Sequence, residues 1–242
     1  MRYWELDCLR GISIVAMVIY HQIWNLAFLG LVDWYIPGPG FQMVARSIGT
    51  AFLTLVGICL YISFHRRGGR LDQTVWRRFA LRGIKLFAWG LVITGVTVCF
   101  LPNPVFFGIL HLIGAATLLS IPLLPHPWLA GSLGFLILIA AYSLPTLNLP
   151  SPWLLPLGIA TLPFSMADYY PLVPWLGVVY LGIYLGSLAY PRGTRQRGAR
   201  PQPNSPIISG LILLGRNSLR IYLLHQPLLL AATYGLKLIF FP

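Results

Sequence analysis

Charged residues are scarce in this chain of 242 residues, where they make up 9% of the sequence and only five are acidic. Between Lys85 and Asp168, 82 consecutive residues include no Asp, Glu, Lys or Arg. A soluble domain carries about 25% charged residues, which help to cover its surface. The scarcity therefore excludes a soluble globular domain, and the 57% of apolar residues excludes a disordered chain. An integral membrane protein remains.

Cysteine is also rare, with three residues at positions 8, 59 and 99. They are odd in number and widely spaced, which excludes a disulfide-stapled secreted module. The sequence has no CxxC pair and no two histidines at zinc-ligand spacing, so we expect no metal site.

Long apolar runs predict an all-α, polytopic membrane protein in which residues 1–242 form a single domain. About 20 apolar residues cross a bilayer, and on this measure seven spans are predicted, at 9–31, 43–64, 80–101, 105–124, 128–145, 171–190 and 218–240. Residues 191–206, rich in Pro, Gly and Arg, predict a cytoplasmic linker. Trp153–Leu162 is too short to cross, so we expect it to lie in the outer interface or to form a re-entrant segment.

The 17 basic residues, which give a net charge of +12, cluster in alternate connections. Seven lie in Arg66–Lys85 and five in Arg192–Arg216, whereas the connections 32–42, 102–104 and 146–170 have none. This is the positive-inside pattern, and it predicts a cytoplasmic N-terminus and an external C-terminus. We expect the inner or plasma membrane of the cell, and the brevity of the chain favours a bacterial one. We therefore expect the lipid bilayer, and not nucleic acid, as a partner. Anionic lipid or a phosphorylated cosubstrate could use the same arginines.

The first span carries ionisable residues on one face. At about 100° per residue, Asp7, Arg10 and His21 share a helical stripe, with Arg10 about 16 Å from His21. An ionisable group near the middle of a bilayer costs several kcal/mol unless it faces a partner or a polar cavity. His21 is therefore either a buried histidine bonded to another helix or a general base or nucleophile.

Three further residues are site candidates. His111 has small residues one turn further on, which leave a notch for a ligand or let a helix pack closely. Pro227 predicts a kink beside His225, which is either structural or lines a substrate cavity. Asp168, at the outer mouth of the sixth span, is either a helix cap or a group that orients a histidine or bonds an acceptor hydroxyl.

Several motifs resemble the membrane family named after the heparan-alpha-glucosaminide N-acetyltransferase catalytic domain. They are Glu5-x-Asp7-x-x-Arg10-Gly11-Ile12, Met17-Val18-x-Tyr20-His21, Phe107-Gly108-Ile109-Leu110-His111, Asp168-Tyr169-x-Pro171-x-x-Pro174-Trp175 and Leu214-Gly215-Arg216-x-Ser218-Leu219-x-Ile221-Tyr222-Leu223-Leu224-His225-Gln226-Pro227. The spacing of Arg10 and His21 is also similar to that in the acyltransferase-3 family.

The resemblance implies transfer of an acetyl or acyl group from acyl-CoA, as cosubstrate, to a sugar, polysaccharide or lipid acceptor across the membrane; a homodimer is left open. The catalytic candidates are His21, His111, His225 and Asp168. Arg10, Arg216, Arg220, Asp7 and Gln226 are the candidates for binding acyl-CoA. The eukaryotic enzyme has an asparagine where His21 stands and its catalytic histidine in the loop after the first span. Residues 26–41 here include no histidine, so the catalytic role falls to His21 or the chemistry differs.

Two other functions remain open. A proton-coupled transporter or flippase could use intramembrane histidines as a relay. A non-catalytic lipid-binding or assembly subunit is the third interpretation.

Overall fold

The computed structural model describes residues 3–33, 38–101, 103–143, 151–159, 168–195 and 201–240. Over these residues the regular elements are helices, which confirms the predicted all-α fold. The α-helices are α1 (Trp4–Phe28), α2 (Pro39–His65), α3 (Gln73–Phe100), α4 (Ile109–Ser120), α5 (Pro127–Ser143), α6 (Leu172–Ala189), α7 (Pro206–Arg216) and α8 (Ser218–Phe240).

Four of these helices, α1, α2, α3 and α6, are long and apolar enough to cross a membrane. The bent pair α7 and α8 adds a fifth if the two form one span. The predicted count of seven is not confirmed, because α4 and α5 are only 12 and 17 residues long. A perpendicular span needs about 20 residues.

Large apolar side chains cover much of the helical surface, as a lipid environment requires. Phe100 is 80% exposed, Phe135 61% and Ile239 71%. Water would disfavour such a surface, whereas hydrocarbon does not. Together with the long apolar helices, this indicates an integral membrane protein.

The described helices belong to two compact units. The first unit takes residues 1–52 and 200–242 and therefore contains α1, the start of α2, α7 and α8. The second unit, residues 53–199, contains the rest of α2 and α3 to α6. Parts of the predicted linker 191–206 and of the predicted external connection 146–170 lie outside the described residues.

In the first unit, the segment 206–216, predicted as part of a connection, is the helix α7. Pro206 opens it at a position where the missing N–H costs nothing. An 86° bend then separates α7 from α8. The bend lies at Asn217, whose side chain donates to the Leu213 carbonyl at 3.0 Å and whose own carbonyl accepts from the Ile221 N–H. Pro227, where the sequence predicts a kink, lies inside α8, which runs through that residue as one helix.

Two glycines allow α7 to pack directly on α1. A Cβ atom on Gly11 would collide with the carbonyl of Leu211, and one on Gly215 would collide with the carbonyl of Asp7. Small residues of this kind let membrane helices approach with their backbones in contact. The helix α8 also packs on α1 and runs in the same direction, because pairs of contacting residues advance together along both helices, from His21–His225 to Leu29–Lys237.

The α1–α7 contact can be tested with two substitutions in one helix. We expect Gly215→Ala to lower the unfolding temperature in detergent, because the new methyl group would overlap backbone atoms, and overpacking typically costs about 1–3 kcal/mol. Gly210→Ala is the matched control, since nothing lies within 4 Å of a Cβ at that position. Alanine favours a helix by about 0.5–1 kcal/mol over glycine, so the control should be unchanged or more stable. Equal effects of both substitutions would contradict the close contact.

Candidate active site

At the start of α1, a buried carboxylate joins two arginines from different helices. Asp7 is only 6% exposed. One of its oxygens accepts a hydrogen bond from Arg10 Nη1 at 2.8 Å, in agreement with the shared stripe of these residues. Its other oxygen lies 3.5 Å from Nε of Arg216, the last residue of α7. The Arg216 side chain is 44% exposed.

Further along α1, two histidines from different helices meet. The imidazole rings of His21 and His225 have centroids 4.9 Å apart and pack edge to face. His225 is 9% exposed, and Tyr222 packs beside it with ring centroids 5.7 Å apart. The structure therefore brings together two of the histidines that the sequence predicted as catalytic.

Backbone hydrogen bonds determine which nitrogen of the His21 and His225 rings carries the proton and which has a free lone pair. His21 Nδ1 lies 2.9 Å from the Met17 carbonyl, and His225 Nδ1 lies 2.7 Å from the Tyr222 carbonyl. A carbonyl can only accept, so both Nδ1 atoms carry the proton. In a neutral ring, Nε2 then presents a lone pair, the atom that a general base or nucleophile uses. His225 Nε2 is buried and has no hydrogen-bond partner among the described residues.

Amide and hydroxyl side chains continue the polar contact between α1 and α8. Gln226 Nε2 donates to Asn25 Oδ1 at 2.9 Å, and Gln22 Nε2 donates to Thr233 Oγ1 at 3.1 Å. Asn25 and Thr233 are both completely buried. No motif in the sequence marks Gln22, Asn25 or Thr233 as a site residue. Polar side chains inside otherwise apolar helices were the available signal, but a single helix does not show which polar residue it faces.

The remaining candidates are placed differently. Arg220 lies exposed in the first turn of α8, so the bend at Asn217 puts Arg216 and Arg220 on separate helices although they are four residues apart. His111 and Asp168 belong to the second unit. Asp168 Oδ2 accepts from the Ile109 N–H at 3.1 Å, so it caps the start of α4.

His111 completes a chain of hydrogen bonds at the start of α4. Its Nδ1 accepts from the Gly108 N–H at 3.2 Å, so the ring proton sits on Nε2, 3.4 Å from Thr94 Oγ1. Thr94 in turn donates to the Val105 carbonyl at 2.6 Å. Both ring nitrogens are thus used within the fold, and His111 has no free lone pair for proton abstraction.

No group of three or more metal-ligating side chains lies close together among the described residues.

A comparison with known protein families matches residues 2–227 to the family described as heparan-alpha-glucosaminide N-acetyltransferase, catalytic. The chain belongs to this family. Its match runs from the first span to Pro227 and so includes both histidines of the α1–α8 contact. Comparisons with curated proteins and with solved structures find no match. Membership of this N-acetyltransferase family confirms the main resemblance found in the sequence, whereas the similarity to acyltransferase-3 remains a prediction.

The hydrogen bonds of His111 predict a structural effect of its removal. We expect His111→Ala to lower the unfolding temperature, because the buried Gly108 N–H would lose its hydrogen-bond partner, and an unsatisfied buried group costs about 1–3 kcal/mol. His126→Ala removes an exposed histidine and should leave the melting curve unchanged. A His111→Ala protein that melts like the wild type would contradict this assignment.

Proposed function

We propose that this protein transfers an acetyl or other short acyl group from cytoplasmic acyl-CoA to a sugar or glycolipid acceptor on the outer side of the cell membrane. The observation that supports this most directly is the contact of His21 with the buried His225, in which both Nδ1 atoms face backbone carbonyls and both Nε2 atoms are left to act on a substrate. Family membership favours acyl transfer over a proton-coupled transporter built on the same histidines.

The arginine cluster at the start of α1 fits the phosphates of CoA. Guanidinium groups bind phosphate oxygens in a bidentate manner, and Arg216 is half exposed while Asp7 orients it through Nε. Arg220, in the first turn of α8, would add a second cation, and Arg10 holds Asp7 in place. We assign the phosphate contacts to Arg216 and Arg220, with Asp7 and Arg10 as positioning residues.

The spacing along α1 fits the length of the cosubstrate. Arg10 and His21 are about 16 Å apart at 1.5 Å per residue. The pantetheine arm of CoA joins its phosphates to its sulfur through an extended chain of comparable length. With the phosphates at the arginines, the thioester would reach the histidine pair.

Two mechanisms are available to His21. As a general base, its Nε2 takes the proton of an acceptor hydroxyl or amine while the oxygen or nitrogen attacks the thioester carbonyl; the carbon–sulfur bond breaks, and the CoA thiolate takes the proton back. As a nucleophile, Nε2 itself attacks the carbonyl and CoA leaves as its thiolate. The acceptor then displaces the imidazole, and its proton passes to the thiolate. The second route carries the acyl group beyond the point that CoA can reach.

His225 is the second member of this pair, and we assign it to hold or exchange a proton beside His21. His111 and Asp168, which the sequence predicts as catalytic candidates, both form hydrogen bonds at the start of α4, in the second unit. Gln226, a predicted CoA contact, lies on the far side of the histidines from the arginines.

The orientation rests on the basic residues. The segments 66–85 and 192–216 carry most of the positive charge and would face the cytoplasm. The N-terminus is then cytoplasmic and the C-terminus external, so that CoA enters at the arginine end of α1.

Removal of His21 tests the mechanism. We expect His21→Ala to lower CoA release from acetyl-CoA, with methyl α-glucosaminide as acceptor, by about 10²–10⁴-fold while acetyl-CoA still binds, because general-base catalysis contributes that factor. His65→Ala is a matched control, since His65 Nδ1 makes the same bond to a carbonyl four residues earlier, that of Tyr61. Near-normal turnover by His21→Ala would contradict a catalytic role for His21. An acetylated His21 peptide in wild-type protein incubated without acceptor would favour the nucleophilic route.

The donor site makes a separate prediction. We expect calorimetry of the detergent-purified protein to show acetyl-CoA binding that weakens with added salt, because charge contacts with phosphate are screened. Arg216→Gln and Arg220→Gln should each weaken binding at low salt, whereas Arg70→Gln, an exposed arginine in the loop before α3, removes the same charge and should not. Absence of acetyl-CoA binding at low ionic strength would contradict the proposal that acyl-CoA is the donor.

A further inference from the structure

The pair formed by Asn25 and Gln226 leaves two buried polar atoms unsatisfied. Gln226 Nε2 donates to Asn25 Oδ1 at 2.9 Å. Asn25 Nδ2 and Gln226 Oε1 are both buried, and neither has a hydrogen-bond partner among the described residues. Asn25 is completely buried. An orphaned amide atom is costly in a low-dielectric interior, and most buried polar groups avoid this state.

The chemical character of the unsatisfied atoms does not depend on how the two amides are turned. If both amide groups are rotated by 180°, Asn25 becomes the donor to Gln226, and the free atoms become Asn25 Oδ1 and Gln226 Nε2. Either arrangement presents one donor and one acceptor. A phosphate or carboxylate only accepts, and an ammonium group only donates, so neither could satisfy both atoms. A hydroxyl group both donates and accepts.

The neighbouring polar pair on the same two helices differs in this respect. Thr233 Oγ1 accepts from Gln22 Nε2 at 3.1 Å and donates to the Leu229 carbonyl at 2.7 Å. Neither Gln22 nor Thr233 has a buried polar atom left over within the described chain. The unsatisfied atoms of Asn25 and Gln226 are therefore specific to their position and are not a general property of α1 and α8.

Asn25 and Gln226 lie on the side of the histidines that is opposite to the arginines, from which the sugar acceptor would approach. Asn25 is one helical turn beyond His21, in the direction away from Asp7 and Arg10, and Gln226 follows His225 directly. A pantetheine arm that extends from the arginines to His21 would end before it reaches Asn25. The group that meets Asn25 and Gln226 must then come from the opposite side, as the acceptor does.

We propose that Asn25 and Gln226 bind a hydroxyl group of a sugar acceptor, next to the group that receives the acyl chain, and hold that acceptor against His21. The hydroxyl accepts from one amide and donates to the other. This assignment rests on the proposed function, because it takes His21 as the catalytic residue. It makes the two amides positioning residues for a neutral, polyhydroxylated acceptor.

The test replaces both amides with apolar side chains of similar size. Asn25→Leu combined with Gln226→Met should raise the KM for methyl α-glucosaminide at least tenfold, while the Kd for acetyl-CoA by calorimetry stays within a factor of two. The unfolding temperature should stay the same or rise, because replacing both partners of an incompletely satisfied pair by apolar groups is close to neutral or stabilising. A pair with a merely structural role would not raise the KM for the sugar while the Kd for acetyl-CoA and the unfolding temperature are maintained. The single variant Gln226→Met, which should also raise the KM for the sugar, replaces the double variant if the latter fails to fold.

Gln22→Met combined with Thr233→Val is the matched control. It removes a hydrogen-bonded pair from the same two helices, and it should leave the KM for the sugar unchanged. Equal KM values for the sugar in the wild type and the Asn25 and Gln226 variants would overturn the inference. So would the absence of any sugar-dependent CoA release or sugar-induced thermal shift in a wild-type protein that binds acetyl-CoA. A wild-type protein that does not bind acetyl-CoA at all would instead overturn the proposed function.

Discussion

The buried carboxylate of Asp7 determines how the helices of the candidate site meet. It lies in the first turn of α1, where the helix dipole favours a negative charge, and it holds the last residue of α7 through Arg216. Arg216 is 44% exposed, so solvent screens its attraction, and a pair of this kind contributes at most about 1 kcal/mol. The close backbone contact at Gly11 and Gly215 must therefore supply most of the packing energy, and the ion pair supplies the register.

The position of α7 on α1 also determines the position of α8, because only Asn217 separates the two helices. Once α7 is held on α1, the 86° bend sends α8 along α1 in a defined position. His225 then lies beside His21, and Lys237 reaches the Leu29 carbonyl at 2.8 Å near the other end. Between these two contacts lie three buried polar atoms that have no hydrogen-bond partner among the described residues: Asn25 Nδ2, His225 Nε2 and Gln226 Oε1. Stability given up at a site and recovered elsewhere is the usual sign of function.

The sequence predicts most of the individual helices well, but it predicts the contacts between helices poorly. Apolar runs and the clustered arginines define the helices, and the 100° rotation per residue places Asp7 on the same face as Arg10, with which it pairs. The helix α7 was not predicted, because eleven residues between an Arg-rich stretch and a long apolar run have the length of a connection. The meeting of Asn25 with Gln226 joins residues 201 positions apart. No periodicity within one helix encodes such a contact.

The three intramembrane histidines show why residue type alone cannot assign a catalytic role. In sequence, His21, His111 and His225 are equivalent, since each lies within an apolar run. In the structure, Nδ1 of His111 accepts from a backbone N–H, whereas Nδ1 of His21 and of His225 faces a backbone carbonyl. The first arrangement puts the proton on Nε2, where Thr94 accepts it; the second leaves Nε2 without a proton. The local backbone thus selects opposite tautomers, and only the tautomer of His21 and His225 offers a lone pair to a substrate.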